Sequence, residues 1–193
     1  EVEIVVLPEG LKEIREGAFG DCTYLTHIDI PSSVISIHEA AYKNTPGVEY
    51  INVNPNNKVF ISEGNCLIDK SNKTVVVGCR NSDIPDNDTI QRIGNYSFWN
   101  QQELQNINIP KSITSIGGWS FSDCKKINSI TIPEKVNYIG PMAFYGTNIS
   151  QLMVPENITF IGQFAAAHCP NLKTVTIKKT TGYDLDIHPE TFK

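Results

Sequence analysis

The sequence has little charge for a globular chain, and what it has shows no basic excess. Of its 193 residues 19 % are charged, against roughly 25 % in an average protein. The formal net charge is −5, so a basic footprint for nucleic acid or an anionic membrane is missing. No apolar run approaches the roughly 18 residues of a membrane span, and no basic segment followed by an apolar one marks a signal peptide. We therefore expect neither a nucleic-acid partner nor membrane insertion of this segment.

Motifs of catalytic or metal-binding chemistry are missing as well. The four histidines are scattered, no CxxC or HxxxH pair occurs, and His168-Cys169 is the one adjacent pair of such ligands. Neither a GxSxG motif nor a phosphate-binding P-loop is present. Asp29 and Glu49 could approach each other as a carboxylate pair, but no further catalytic group accompanies them. The sequence thus predicts a non-enzymatic protein without metal or cofactor.

What the sequence does contain is an internal repeat of about 23 residues. Its clearest marker is an alternating aliphatic pair followed by proline, as in Ile28-Asp29-Ile30-Pro31. An aliphatic residue stands three positions after the proline and an isoleucine three further on, as Val34 and Ile37 do. A small residue and an aromatic one follow, as in Ala143-Phe144. Six units match in this way, which excludes a chance resemblance between them.

Each unit has a strand, a turn and a return path. Alternation at Ile28 and Ile30 predicts a short strand with one buried face, which the proline ends. The Ala-Phe pair suits a helical turn whose ring fills the interior. Glycines after the isoleucine predict tight turns with positive φ; they are Gly94, Gly117, Gly140 and Gly162. Units stacked about 4.8 Å apart would seal each other's apolar side. We expect one continuous parallel ladder that contains Ile28, Ile107, Ile130 and Leu152.

The repeat resembles a known family. The segment from Ile109 through Gly117 and Phe121 to Cys124 is similar to the BspA-type, or Treponema-type, leucine-rich repeat, and the resemblance covers nearly the whole chain. It implies a right-handed leucine-rich-repeat superhelix, with a parallel β-sheet on the concave face and short helical turns or irregular coil on the convex side. It also implies a cell-surface or secreted protein that functions in adhesion to host proteins or between cells. The family's motif residues are structural, so no catalytic residue carries over.

The organisation predicted for residues 1–193 is a single array with partial units at both ends and an irregular insertion at 54–84. Partial end units favour a segment of a longer protein, with degenerate capping units as the alternative. The runs Lys58–Ile61, Asn65–Ile68 and Thr74–Val77 indicate short strands separated by turns. The favoured interpretation of this insertion is an oversized coil that continues the solenoid. A protruding ligand-binding loop is the alternative.

Five cysteines are distributed along the repeat. Cys22, Cys124 and Cys169 occupy one repeat position, and units two coils apart are too distant for a disulfide. We expect buried free thiols at these positions. Cys66 and Cys79 flank one predicted hairpin and could pair, so their redox state is left open.

The outward positions of the strands form the candidate binding surface. Alternation places amides and hydroxyls there, with few charges. The candidate ligand-binding residues are His27, Asp29, Tyr50, Asn52, Asn106, Asn108, Ser129, Thr131, Gln151 and Met153. A hydrogen-bonding surface for a glycan or an extended protein ligand is the functional interpretation. The structural interpretation is that Asn and Thr simply suit solvated strands.

The function predicted from these features is a non-catalytic surface or secreted binding module. It would recognise a protein or glycan on a host or neighbouring cell, and its location would be extracellular or at the cell surface. A structural spacer without a ligand and an accessory module of a carbohydrate-active enzyme are the alternatives. Trp99 and Trp119 lie next to the buried aromatic position and are either coil fillers or a contact patch.

Overall fold

The computed structural model describes residues 2–178, 185–188 and 190–193. Within these ranges the chain forms short strands joined by turns, without a helix. The strands are β1 (Glu13–Ile14), β2 (His27–Ile30), β3 (Ser36–Ile37), β4 (Tyr50–Val53), β5 (Phe60–Glu63), β6 (Cys66–Asp69), β7 (Thr74–Val77), β8 (Arg92–Ile93), β9 (Ser115–Ile116), β10 (Tyr138–Ile139), β11 (Gln151–Val154), β12 (Phe160–Ile161), β13 (Thr174–Ile177) and β14 (Asp186–Ile187). The predicted leucine-rich-repeat solenoid is confirmed.

The longest ladder runs through the isoleucine that follows the proline by six positions. Eight strands are ordered β14-β12-β10-β9-β8-β7-β6-β5, and all neighbours from β7 to β14 pair in parallel. The register aligns Ile93 with Ile116, Ile116 with Ile139 and Ile139 with Ile161. The repeat period therefore places one isoleucine of each coil directly above the next.

The ladder expected at the alternating pairs is interrupted, so the prediction of one continuous ladder is wrong. β2 pairs with β4 and β11 pairs with β13, which aligns Ile28 with Ile51 and Leu152 with Val175. No strand is assigned to the described residues 105–109 and 128–132, which contain Ile107 and Ile130. Their outward positions include Asn106, Asn108 and Asn128, and Asn is depleted in strands. Alternating burial nevertheless persists there: Ile107 and Ile109 are buried and Asn108 is exposed.

Aromatic rings fill the interior at the turns, as the Ala-Phe pairs predict. Phe98, Phe121 and Phe144 are fully buried, and their ring centroids lie 5.1 and 5.8 Å apart in a parallel stack. Ala166 takes the ring position in the next coil. Stacked rings on successive coils bury apolar area that no single coil could bury.

The predicted role of the turn glycines is wrong. None of Gly94, Gly117, Gly140 and Gly162 has a positive φ. A Cβ on Gly140 would lie 2.4 Å from the backbone nitrogen of Gly118, so these glycines permit close approach of adjacent coils. Other residues of the turns are left-handed, and five coils have two of them, four positions apart; these pairs are Gly17 and Asp21, Tyr96 and Asn100, Trp119 and Asp123, Met142 and Gly146, and Phe164 and His168. The coil of Asn44 has one. These turns replace the helical turn that the sequence also allowed.

The insertion folds into the solenoid interior. β5, β6 and β7 form an antiparallel hairpin pair, and β7 continues in parallel with β8. Residues of β6 and β7 are buried on both sides, so they divide the core into two clusters. Cys66, Ile68 and Val75 belong to the C-terminal cluster, whereas Leu67 and Val77 belong to the N-terminal one. The inserted hairpin, β5–β7, is thus a wall across the solenoid.

All five cysteines are free. Cys66 packs in the C-terminal core cluster and Cys79 in the N-terminal one. Burial raises the pKa of the Cys66 thiol to about 12. At the shared repeat position Cys124 is buried, whereas Cys22 and Cys169 are only partly so. Burial also raises the pKa of Cys124 and Cys169, so these thiols are protonated at neutral pH.

Candidate functional site

The ten candidate residues all lie at outward positions. Nine are exposed and His27 is partly buried, in keeping with the alternation along each strand. They fall into two groups because the ladder is interrupted between them. His27, Asp29, Tyr50 and Asn52 lie on β2 and β4, and Gln151 and Met153 lie on β11. Asn106, Asn108, Ser129 and Thr131 lie on the segments between these sheets.

The first group is organised by the register of β2 and β4. Pairing places Tyr50 beside His27 and Asn52 beside Asp29. The two rings stack with centroids 5.0 Å apart and an interplanar angle of 28°. The amide of Asn52 donates to Oδ1 of Asp29 at 3.1 Å. Four side chains that the sequence predicted separately therefore form one ordered patch, which we call the β2–β4 patch.

His27 is anchored through its neighbour Thr26. The hydroxyl oxygen of Thr26 lies 2.9 Å from the Glu3 carbonyl oxygen and 2.8 Å from Nδ1 of His27, within hydrogen-bond distance of both. Tyr50 is 56 % exposed beside His27.

A hollow that the sequence did not predict adjoins the β2–β4 patch. It has a volume of about 330 Å³, and Glu9, Asp29, Asn52 and Asn54 line its polar side. Glu9 accepts hydrogen bonds from the backbone and hydroxyl of Ser32, which lower the pKa of the Glu9 carboxyl. The signal for this contact was present, because Ser32 stands 23 positions after Glu9 and one coil places them side by side.

Four of the remaining candidate residues line a smaller hollow of about 160 Å³. Ser129, Thr131, Gln151 and Met153 contribute to it. An ion pair of 2.8 Å between Lys178 and Glu134 closes one side. The structure thus links part of 128–132 to β11 across the interrupted ladder. Asn106 and Asn108 do not line this hollow.

The carboxylates considered for catalysis do not converge. Glu49 forms an ion pair with Arg80 of the insertion, while Asp29 bonds to Asn52. The described residues contain no group of three or more His, Cys, Asp or Glu side chains that could hold a metal ion. Among them, no helix is long and apolar enough to cross a membrane. The arrangement is therefore suited to hydrogen bonding and ring contacts.

Comparison with known proteins identifies the family. The model of the BspA-type leucine-rich repeat region matches six copies, over residues 1–77 and 73–192. The chain belongs to this leucine-rich repeat family. None of the curated proteins compared with the chain matches it.

Several solved structures share the fold. The pneumococcal vaccine antigen PcpA aligns with a TM-score of 0.80 at 23 % identity over 86 % of this chain and 42 % of that one. A leucine-rich repeat protein from Eubacterium ventriosum aligns at 0.63 and 25 % identity over 90 % and 41 %. A leucine-rich cell surface protein from Faecalibacterium prausnitzii aligns at 0.63 and 20 % identity over 91 % and 59 %. The chain spans less than half the length of the first two proteins.

Proposed function

We propose that this chain is a non-catalytic recognition module, located outside the cell or at its surface. It would mediate adhesion to a protein or glycan on a host or neighbouring cell. Family membership supports a repeat protein that presents a binding surface. The description of one similar structure as a cell surface protein, and of another as a vaccine antigen, supports the location.

The β2–β4 patch is the observation that carries this proposal. Asp29, Tyr50 and Asn52 are exposed and His27 is partly so, and backbone pairing holds the ring pair and the acid–amide pair in register. A surface ordered before binding loses little side-chain entropy when a ligand arrives, so modest polar contacts can sum to useful affinity. Aromatic side chains beside hydrogen-bonding groups are typical of the residues that dominate binding energy.

The test is binding of the purified chain to extracellular matrix proteins and to a glycan array. Changing His27, Tyr50 and Asn52 to Ala should weaken binding by at least tenfold, because the ring pair and the amide are removed together. Tyr138→Ala is a matched control, since Tyr138 stacks on Phe160 with centroids 4.9 Å apart on the other sheet. Equal binding by the triple variant and the unmodified chain would exclude this patch as the contact surface.

A further inference from the structure

Five ring side chains form a continuous strip along the turns of four successive coils. The aromatic strip consists of Tyr96, Trp99, Trp119, Tyr145 and His168. Neighbouring centroids lie 5.8, 5.2, 6.4 and 4.9 Å apart in that order. His168 is exposed and the other four rings are partly so. The strip follows the solenoid axis, on the turns and away from the β2–β4 patch.

The backbone fixes this strip. Tyr96, Trp119 and His168 have φ values of 59°, 59° and 54°, in the left-handed region. Bulky side chains rarely adopt that conformation without compensation from surrounding contacts. Here the compensation includes backbone hydrogen bonds between coils, such as that from the Trp119 nitrogen to the Pro141 oxygen at 2.9 Å. The backbone at these three residues is therefore fixed by contacts between coils.

Two hollows adjoin the C-terminal end of the strip and share Lys125 and Asn148. One, of about 440 Å³, includes Asp123, Tyr145 and His168 in its lining. The other, of about 390 Å³, is lined by side chains that end in amide or ammonium groups; they belong to Gln105, Asn106, Lys125, Lys126, Asn128 and Asn148. Such a lining offers several hydrogen-bond donors.

Hydrogen bonds between coils orient the amides of these hollows. The Asn171 amide donates to Oδ1 of Asn148 at 2.7 Å, and the Asn148 amide donates to Oδ1 of Asn128 at 2.9 Å. Lys126 is paired with Glu103 at 2.5 Å. Among the described residues, Lys125 has no ion-pair partner, although it lines both hollows. An unpaired ammonium group thus stands among oriented amides beside the rings.

We propose that the aromatic strip and these two hollows bind an acidic carbohydrate chain. The rings would contact the C–H faces of successive sugars along the axis, while the amides would bind hydroxyl groups. Lys125 would bind a carboxylate or sulfate group of the sugar. A protein partner fits the second hollow less well, because two lysines line it and Lys is depleted at the cores of protein interfaces. This site is separate from the β2–β4 patch and does not depend on it.

Intrinsic fluorescence tests the proposal directly, because the chain has two tryptophans and both belong to the strip. The probes are a heparin oligosaccharide, which is sulfated, an oligogalacturonate, which is carboxylated, and a neutral malto-oligosaccharide of equal length. One or both acidic probes should change the tryptophan emission saturably. The probe that does so shows whether the site binds a sulfate or a carboxylate group. Because the chain carries a net charge of −5, general attraction of anions does not explain such binding.

Two substitutions separate the site from unspecific contact. Lys125→Ala should weaken binding of the acidic probe about tenfold, as expected for loss of a charge-assisted bond. Lys135→Ala, at another exposed lysine, and Tyr50→Ala should leave it unchanged, with thermal unfolding confirming that each variant folds. Absence of saturable binding by both acidic probes would overturn the proposal. The proposal would also be overturned if the neutral probe or an acidic peptide bound as tightly as the acidic sugar. The same holds if the Lys125→Ala chain bound the acidic sugar as tightly as the unmodified chain does.

Discussion

Asn65 substitutes for a missing neighbouring strand beside Ile51. Its Oδ1 accepts the Ile51 backbone N–H at 2.8 Å, and its amide donates to the Glu49 carbonyl oxygen at 2.7 Å. The hydroxyl of Ser62 donates to the Ile51 carbonyl oxygen. The inserted hairpin thus satisfies the free edge of β4 through side chains, and this is why the β2–β4 ladder ends there.

We predict that Asn65→Ala lowers the free energy of unfolding by about 1–3 kcal/mol, because buried backbone groups of β4 would lose their partners. The φ of 56° at Asn65 adds strain for alanine. Urea unfolding would measure the change. Asn157→Ala is the control, since Asn157 is exposed and donates to the Glu134 carbonyl oxygen at 2.7 Å. A loss no larger than in this control would contradict the role of Asn65.

Two adjacent residues of the inserted hairpin should report on different halves of the molecule. Leu67 packs in the N-terminal cluster and Ile68 in the C-terminal one. Each change to Ala should cost about 2–5 kcal/mol by leaving a cavity. In hydrogen exchange, Leu67→Ala should chiefly expose the amide of Phe19, and Ile68→Ala that of Phe121, since each amide is bonded at 2.8 Å within its own half. Equal loss of protection at both amides would show that the wall does not separate two units.

Much of this fold was accessible from the sequence because one physical constraint repeats. Ile116 pairs with Ile93 in one neighbouring coil and with Ile139 in the other. Because every coil needs an apolar residue at this place, isoleucine recurs in the sequence at the period of the coil. The sequence also indicated that β7 is buried on both faces, because Val75–Val77 is a continuous apolar run.

Other features depend on relations between coils that no single unit displays. Gly140 looks like a turn residue, but the constraint on it is the backbone of the adjacent coil. The amide of Asn95 donates to the Glu39 carboxylate at 2.8 Å although the two residues are 56 positions apart. Their coils are neighbours in space because the insertion between them folds into the interior. The β2–β4 patch was predicted residue by residue, whereas its pairing of Asp29 with Asn52 required the register.

Close approach of adjacent coils at Gly140 makes this position sensitive to substitution. Gly140→Ala should destabilise the chain by more than 2 kcal/mol, because its Cβ would overlap the backbone of Gly118 and the coils would have to separate (roughly the cost of overpacking). Gly10→Ala tests backbone strain alone, since Gly10 has a φ of 101° and open space around it. Thermal unfolding should show a larger loss for Gly140→Ala. The opposite order would indicate that turn conformation, as first expected, is the dominant constraint.

Replacing either of two buried serines by alanine should stabilise the fold. Among the residues that the structure describes, the hydroxyls of Ser97 and Ser120 have no hydrogen-bond partner, and the equivalent position in another coil holds alanine, at Ala143. Ser97→Ala and Ser120→Ala should each raise the free energy of unfolding by about 1 kcal/mol, because an unsatisfied buried hydroxyl is removed. Thr147→Ala is the contrasting variant: its hydroxyl donates to the Phe144 oxygen at 2.8 Å, and its loss should destabilise. A drop in stability for both serine variants would reveal partners for these hydroxyls.

The buried thiols should make the fold sensitive to alkali. Burial raises the pKa of Cys124 in the folded chain, whereas an unfolded thiol ionises near pH 8.5 (roughly the value for a free thiol). Above that pH the unfolded chain releases a proton that the folded chain retains, so stability falls as the pH rises toward the folded pKa. Cys124→Thr, which copies the residue of the next coil at Thr147, should reduce the loss of unfolding free energy between pH 8 and pH 10 by about 2 kcal/mol. Parallel urea titrations of the two chains cancel the contribution of other groups, and an unchanged pH dependence would mean that the thiol is not linked to folding.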